Sequence, residues 1–126
     1  MIIGVGVDIV DVNRIEKLVS RFGNRFSRKI LSPVEVETGL TDRRLVNYLA
    51  KQFAAKEAVS KALGIGMRCG VGFTTIRILR GQHGAPYVEL GNRAAERARQ
   101  IGVDNIQISL SDERDYAIAY AVASSN

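Results

Sequence analysis

The side chains best placed for chemistry are Asp8, Glu57 and Lys61. Asp8 follows two glycines in an apolar N-terminal stretch, and Glu57 precedes Lys61 by four residues in the segment FAAKEAVSKALG. Residues four apart share one face of a helix, so Glu57 and Lys61 could simply form a surface ion pair. Asp8 could likewise be a helix N-cap or a strand-end turn residue. The chain has one cysteine and one histidine and therefore no Cys/His zinc set, so any metal would be bound by oxygen.

A row of five cations follows Asp8 along the chain. They recur every three or four residues beside an apolar stripe: Arg14, Lys17, Arg21, Arg25 and Arg28. The net charge of +5 also indicates an anionic partner, which nucleic acid, a phosphate compound or an acidic protein would each satisfy. A solvated helix face is the simplest alternative, but such a face usually mixes acids with bases.

Length and composition predict one globular domain spanning residues 1–126. Hydrophobic residues make up 46% and charged residues 25% of the chain, which is ordinary for a folded protein. No apolar run approaches the roughly 20 residues that span a bilayer, and the N-terminal stretch lacks the basic leader of a secretory signal, so we expect a cytoplasmic protein without a membrane partner. Aromatic residues are only 6% and none is tryptophan, which gives little support to a stacking platform for single-stranded nucleic acid.

The positions of these residues on predicted elements come from hydrophobic periodicity. Residues 2–10 alternate as a strand, with Ile3, Val5, Val7 and Ile9 predicted on the core face and Gly4, Gly6 and Asp8 on a nearly bare face suited to close packing. A helix is predicted from residue 12 to 22, with Gly23 separating it from a continuation to residue 30. The basic row lies on this helical segment.

The rest of the chain adds helices and antiparallel strands. A capping box at Ser32 to Glu35 starts a short helix, and a long helix follows from about 43 to 63, before a glycine-rich loop. A hairpin (73–79 and 87–90), a helix (92–101) and a second hairpin (105–111 and 116–123) complete the order. The predicted fold class is α+β, with an antiparallel sheet packed against helices. The glycine-rich loop lacks the Gly-Lys-Ser/Thr ending of a nucleotide P-loop.

Four motifs in this order resemble the short, trimeric branch of the 4'-phosphopantetheinyl transferase superfamily, the holo-[acyl-carrier-protein] synthases. They are GVGVDI around Asp8, FAAKEAVSKALG around Glu57, GAP at 84–86, and SLSDERDYA at 109–117. The similarity runs along the whole chain, and its most diagnostic part is Lys-Glu-Ala-x-x-Lys. The resemblance implies the fold of that superfamily, with one domain per chain.

The implied activity is the Mg²⁺-dependent transfer of 4'-phosphopantetheine from coenzyme A to a serine of apo acyl carrier protein, leaving 3',5'-ADP, in fatty acid biosynthesis. Asp8 and Glu57 match the family's magnesium ligands, and Lys61 matches a position that contacts phosphate; all three are catalytic residues in this reading. Mg²⁺ prefers oxygen and needs only one or two carboxylates besides substrate phosphate and water. The general base stays open between Glu57 and a metal-bound water, and the water is favoured because a carboxylate that binds Mg²⁺ is a poor base.

The resemblance also assigns substrate contacts. Positions similar to the coenzyme A pocket are Arg44, Lys61, His83, Gly84, Pro86 and Ser111, with Arg44 suited to the 3'-phosphate. Arg14, Lys17, Arg21 and Arg25 would dock the acidic carrier protein, whereas Arg28 stays undecided. Two positions depart from the family: Asp112 replaces a frequent histidine, and Gln52 replaces a frequent arginine and so removes one possible cation from the pocket. The family further implies a homotrimer with sites between subunits.

Two other functions remain open from the sequence. One is a small basic nucleic-acid-binding module that uses the face from Arg14 to Arg28; salt-sensitive binding to duplex DNA without Mg²⁺ would indicate it. The other is a carrier-protein binder without catalysis, which would bind acyl carrier protein but never add mass to it.

Overall fold

The computed structural model describes residues 1–126 as four α-helices, five strands and three short 3-10 helices. The helices are α1 (Val12–Phe22), α2 (Asn24–Ile30), α3 (Asp42–Ala62) and α4 (Asn92–Ile101). The strands are β1 (Ile2–Asp11), β2 (Ile76–Arg80), β3 (Pro86–Leu90), β4 (Asn105–Asp112) and β5 (Tyr116–Ser124). The 3-10 helices are Pro33–Glu35, Phe73–Thr75 and Gln82–Gly84. The predicted element order is confirmed, except that residues 73–75 form a 3-10 helix and the first hairpin strand begins only at Ile76.

All strand pairings are antiparallel, and they form two sheets. The larger sheet has the order β1-β5-β4, and the smaller one pairs β2 with β3. None of the helices combines the length and the apolar character that a membrane span requires. The α+β class is therefore confirmed, with the antiparallel strands divided between two sheets.

Helix α3 packs directly against the larger sheet through small residues. A Cβ atom on Gly4 would lie 2.1 Å from the carbonyl oxygen of Ala62, and one on Gly6 would lie 2.0 Å from that of Ala58. Four alanines of β5 complete the inner face of the sheet and are at most 1% exposed: Ala117, Ala119, Ala121 and Ala123. The strand and the helix can approach this closely only because no side chain separates the two backbones.

The prediction that the Val5, Val7 and Ile9 face of β1 lies in the core is wrong. The bare face with Gly4, Gly6 and Asp8 packs on α3, whereas Val5, Val7 and Ile9 point away from it and are 49–61% exposed in the single chain. Alternation fixed which residues share a face, but it did not fix which face the helix covers. The neighbouring strand β5 extends this outer apolar face with Tyr116, Ile118 and Tyr120, which are 40–51% exposed.

A buried polar cluster fixes the second side of α3. The carboxylate of Glu35 accepts hydrogen bonds from Ser32 and Gln52 and from the backbone N–H of Ile78. The ammonium of Lys56 donates to Glu35, at 2.6 Å, and to the carbonyl oxygens of Ile30 and Phe73. Both charged side chains are fully buried. One ion pair therefore ties α2, α3, β2 and two 3-10 helices together.

Candidate active site

The candidate site lies where β1 crosses the C-terminal half of α3. Close packing of the glycine face brings Asp8 against α3, and Lys61 reaches across to β1. Its Nζ donates to the carbonyl oxygen of Val7 at 2.9 Å and lies 3.3 Å from Oδ1 of Asp8. The Asp8 side chain is only 17% exposed, whereas that of Lys61 is 49% exposed. The cation is therefore held by β1 but remains open to a ligand.

Glu57 belongs to the same cluster. Burial raises the pKa of its carboxyl above the ordinary value, the nearby Asp8 charge raises it further, and Lys61 and Arg14 oppose the shift. The negative charges of Asp8 and Glu57 repel each other, and Glu57 is partly desolvated. A cation that binds between the two carboxylates would therefore stabilise both of them. The predicted grouping of Asp8, Glu57 and Lys61 is thus present in the structure.

The donor set of this cluster fits a magnesium ion. Oδ2 of Asp8 is buried and has no hydrogen-bond partner, so one carboxylate oxygen is left free to bind a metal. No three histidine, cysteine or acidic side chains are arranged so that they could together hold a metal ion. Mg²⁺ does not need such a group, because one or two carboxylates with water and substrate phosphate complete its coordination. Asp8 and Glu57 are the residues that would hold the ion.

Two simpler readings of these residues are wrong. Lys61 does not pair with Glu57 along the helix; its ion pair is with Asp8 on β1. Asp8 is not the N-cap of α1 either, because Asp11 fills that position and accepts a hydrogen bond from the backbone N–H of Asn13 at 2.9 Å. Lys61 and Asp8, whose local patterns each allowed a simpler role, therefore contact each other across the strand–helix packing.

A groove with basic residues at its edge lies beside the cluster. It encloses about 590 Å³ between α1, α2 and α3, and it is lined by Arg14, Leu18, Phe22, Arg25, Phe26, Lys29, Ile30, Phe53 and Phe73. The guanidinium of Arg14 lies 5.7 Å from the centre of the Phe53 ring and its charge also acts on Glu57. Two members of the predicted basic row, Arg14 and Arg25, thus line the groove, whereas Lys17 and Arg21 are exposed on α1 outside it.

Of the residues predicted for the coenzyme A pocket, Lys61 lies beside Asp8, but the others do not. Arg44 stands one turn before Tyr48 and two turns before Gln52 on α3, and Arg80 of β2 contacts both of the latter. Tyr48 is nine residues from Glu57, which places the two side chains on about opposite faces of the helix. The turn with His83, Gly84 and Pro86 directly follows Arg80 and lies on that far side.

Ser111 is also separated from the Asp8 cluster. It pairs with Ile118, which in turn pairs with Ile9, and all three point to the exposed outer face of the sheet. Asp8 pairs with the buried Ala119 and points to the inner face. Within one chain the predicted site residues therefore form separate groups, divided by α3 and by the sheet.

Gln52 does not line a pocket. It is fully buried, and its Nε2 donates to Oε2 of Glu35 at 2.5 Å and to the carbonyl oxygen of Ile78 at 2.9 Å. Its Oε1 accepts a hydrogen bond of 2.9 Å from Arg80. The expectation that Gln52 leaves this region short of a cation needs correction, because Arg80 places a guanidinium against it.

Sequence reasoning missed the structural partners of the site, Glu35 and Lys56. Lys56 precedes Glu57 directly, so its three hydrogen bonds fix the rotation of α3 at the candidate metal ligand. Burial lowers the pKa of Lys56, while the hydrogen bond to Glu35 opposes that shift. The capping box indicated only a local role for Glu35. The spacing of the residues did not show that Lys56, 21 residues later in the chain, donates a hydrogen bond to the same carboxylate.

The fold and the site together define a class: a small α+β protein that positions a pair of acids and a lysine at a strand–helix crossing. Residues 4–121 match the 4'-phosphopantetheinyl transferase superfamily. The holo-[acyl-carrier-protein] synthase of Vibrio vulnificus is 47% identical over 121 residues, which cover 96% of each chain. The chain therefore belongs to the 4'-phosphopantetheinyl transferase superfamily.

Solved structures agree with this assignment. The holo-[acyl-carrier-protein] synthase of Neisseria meningitidis is 40% identical and superposes with a TM-score of 0.89, covering 99% of this chain and 100% of its own. The synthase of Helicobacter pylori, solved in complex with coenzyme A, is 34% identical with a TM-score of 0.83, covering 95% of this chain and 99% of its own. The predicted superfamily fold is confirmed over the whole chain.

Proposed function

We propose that this protein transfers 4'-phosphopantetheine from coenzyme A to a serine of apo acyl carrier protein, with Mg²⁺, and releases 3',5'-ADP. The observation that carries the proposal is the cluster of Asp8, Glu57 and Lys61, with one free carboxylate oxygen and one accessible ammonium. The relatives are named for this activity, and coenzyme A is bound in the H. pylori structure. We place the reaction in the cytoplasm and in fatty acid biosynthesis.

The chemistry is a phosphoryl transfer. The serine oxygen of the carrier bonds to the phosphorus that bears pantetheine, the bond from that phosphorus to the bridging oxygen breaks, and 3',5'-ADP leaves with the electron pair. A Mg²⁺ ion bound by Asp8 and Glu57 would supply positive charge against the pyrophosphate.

Lys61 stabilises the negative charge that develops on the phosphate oxygens. Its ammonium is fixed by the carbonyl oxygen of Val7, so little reorganisation is needed when the charge forms. The serine proton leaves towards Glu57, either directly or through a water molecule. Both groups project from rigid elements, which favours the precise placement that phosphoryl transfer requires.

The carrier protein docks on α1 and the start of α2 in this proposal. Arg14, Lys17, Arg21 and Arg25 provide an almost single-signed surface for an acidic partner. The charge of Arg14 lowers the pKa of Glu57, so this surface lies near the cluster and a partner bound to it could place its reactive serine there. Arg28 lies at the far end and donates to the carbonyl oxygen of Asn24, so its role in docking is secondary.

The separation of the site residues supports a homotrimer with active sites between subunits. The Arg44 side of α3 and the Asp8 side face opposite directions, so the helix itself separates the two groups within a single chain. A neighbouring subunit could supply the missing side. The outer face of the sheet offers an apolar contact surface for it, since Val5, Val7 and Ile9 are about half exposed in one chain.

One experiment tests the proposed activity directly. The protein is incubated with apo acyl carrier protein, coenzyme A and Mg²⁺, and the carrier is weighed by mass spectrometry. We expect a mass gain of one phosphopantetheine on the serine and formation of 3',5'-ADP. If the carrier binds but never gains mass, the protein is a carrier-protein binder and the proposed enzyme activity is refuted.

A further inference from the structure

Arg80 is a cation without an anionic partner. It occupies the inward face of β2, where Ile76 and Ile78 are at most 1% exposed. Its Nη2 donates to Oε1 of Gln52 at 2.9 Å, and its guanidinium carbon lies 5.9 Å from the centre of the Tyr48 ring. Its Nη1 is buried and has no hydrogen-bond acceptor.

The neighbouring acids do not compensate this charge. No carboxylate lies within 4 Å of the Arg80 guanidinium, since the ion pairs of the chain involve other residues. Glu35 is close, but Oε1 already accepts three hydrogen bonds and Oε2 accepts two. An unsatisfied charged donor is costly, and in native structures it calls for a specific explanation such as an absent ion or ligand.

The position of Arg80 is set by residues that are themselves fixed. The amide of Gln52 cannot turn, because Glu35 and Ile78 hold its nitrogen, so its oxygen always faces Arg80. Tyr48 is anchored by a hydrogen bond of 2.5 Å to the carbonyl oxygen of Glu35. Arg80 is half-buried as a residue, whereas its Nη1 is enclosed in the single chain.

This preorganised guanidinium fits a phosphate group. Arginine presents a planar fork of donors that matches phosphate oxygens in pairs. Arg44 lies on the same stripe of α3 as Tyr48 and Gln52, and the turn with His83 follows Arg80 directly along the chain, so the elements that hold Arg80 also carry further nitrogen donors. We propose that Arg80 binds the ribose 3'-phosphate of coenzyme A together with Arg44, and that Gln52 positions it. This inference rests on the proposed function.

The 3'-phosphate is the group favoured over the pyrophosphate. In the proposed reaction the pyrophosphate lies at Asp8, Glu57 and Lys61, because its phosphorus–oxygen bond breaks there. Lys61 already supplies a cation to it. The 3'-phosphate is remote from that bond, and as a terminal group it has three free oxygens for a fork of donors. Arg80 and Arg44 lie on the side of α3 away from Glu57, as a contact to a remote phosphate of a neighbouring subunit's ligand requires.

The test compares coenzyme A with dephospho-coenzyme A, which lacks only the 3'-phosphate, by calorimetric binding to the full-length protein. Arg80→Gln is expected to weaken coenzyme A at least about tenfold and to leave dephospho-coenzyme A within about twofold. Arg80→Lys should recover part of the loss. Arg77→Gln is the matched control, because Arg77 lies on the same strand but pairs with Glu89, and it should change neither affinity.

The outcomes separate this inference from the proposed function. If Arg80→Gln stays folded like the wild type by circular dichroism and weakens both ligands equally, or neither, Arg80 does not bind the 3'-phosphate. If Arg80→Gln does not fold, the comparison of the two ligands is made with Arg80→Lys, and an equal effect on both again overturns the inference. A wild-type protein that transfers phosphopantetheine with either result keeps the proposed function intact.

Discussion

The carbonyl oxygen of Ala58 occupies the space where any side chain on Gly6 would begin. A Cβ atom there would lie 2.0 Å from that oxygen and 2.8 Å from the backbone nitrogen of Ala62. Asp8 is two residues further along the same face of β1, so its distance to Glu57 and Lys61 depends on this contact. The bare strand face therefore sets the geometry of the candidate site.

Gly6→Ala should separate β1 from α3 and lower both stability and transfer. The backbone atoms of α3 cannot yield as a flexible side chain would, so we expect a loss of at least about 1–3 kcal/mol in the free energy of unfolding. Urea denaturation measures the free energy of unfolding. Gly72→Ala is the control, because its φ is −140° and a Cβ atom there meets nothing within 4 Å. Equal stability of the two variants would show that the contact is not limiting.

Glu57→Gln and Arg14→Glu should differ in which kinetic parameter they change. Glu57→Gln removes a charge at the reacting group and should lower kcat by about 10²–10⁴-fold. Arg14→Glu acts on docking, so we expect the KM for carrier protein to rise by about tenfold with a small change in kcat. Arg99→Glu places the same charge change on exposed α4 and controls for net charge. The division of roles is wrong if the two site variants alter both parameters alike.

Removal of divalent cations should abolish transfer, and Asp8→Asn should raise the Mg²⁺ concentration needed for half-maximal activity. We expect a shift of at least about tenfold, since even the partners of metal ligands contribute that much. Thermal unfolding gives an independent readout, because an ion that binds only the folded state raises Tm. Asp112→Asn, on exposed β4, should behave as wild type. Unchanged Mg²⁺ responses in Asp8→Asn would exclude Asp8 as a ligand.

The Lys56–Glu35 ion pair should show strong energetic coupling. Lys56→Met leaves the Glu35 carboxylate buried without its cation, which costs about 3–5 kcal/mol in the free energy of unfolding. A double-mutant cycle with Glu35→Gln should give a coupling energy well above that of Arg43–Glu16, whose side chains are 42% and 51% exposed and which is worth about 0–1 kcal/mol. Similar coupling in the two cycles would contradict a stabilising role for the buried pair.

Much of this architecture was predictable because it is local. The alternation of β1, the capping box at Ser32 and the break at Gly23 follow from short-range spacing, and the element order they predict is confirmed. Long-range relationships were not predictable in the same way. Spacing alone could not show that Lys61 pairs with Asp8 across 53 residues, or that Gln52 is buried against Arg80. The motifs named the candidate residues, but the partners of these residues depend on tertiary packing.

The orientation of β1 was the clearest error, and it leads to the last prediction. An apolar strand face is expected in a core, yet Val5 is 51% exposed and lies across from Val122 on the outer face. A second subunit would bury this face. Val5→Lys should then lower the mass in solution from three times the 13.8 kDa of one chain towards a single chain, because three charges would be buried at the interface. Light scattering measures the mass. Val34→Lys, at a valine that is 65% exposed in the 3-10 helix Pro33–Glu35, should leave the assembly unchanged. A Val5→Lys protein with the wild-type mass would place the subunit contact on another surface, and a wild type of 13.8 kDa would refute the trimer itself.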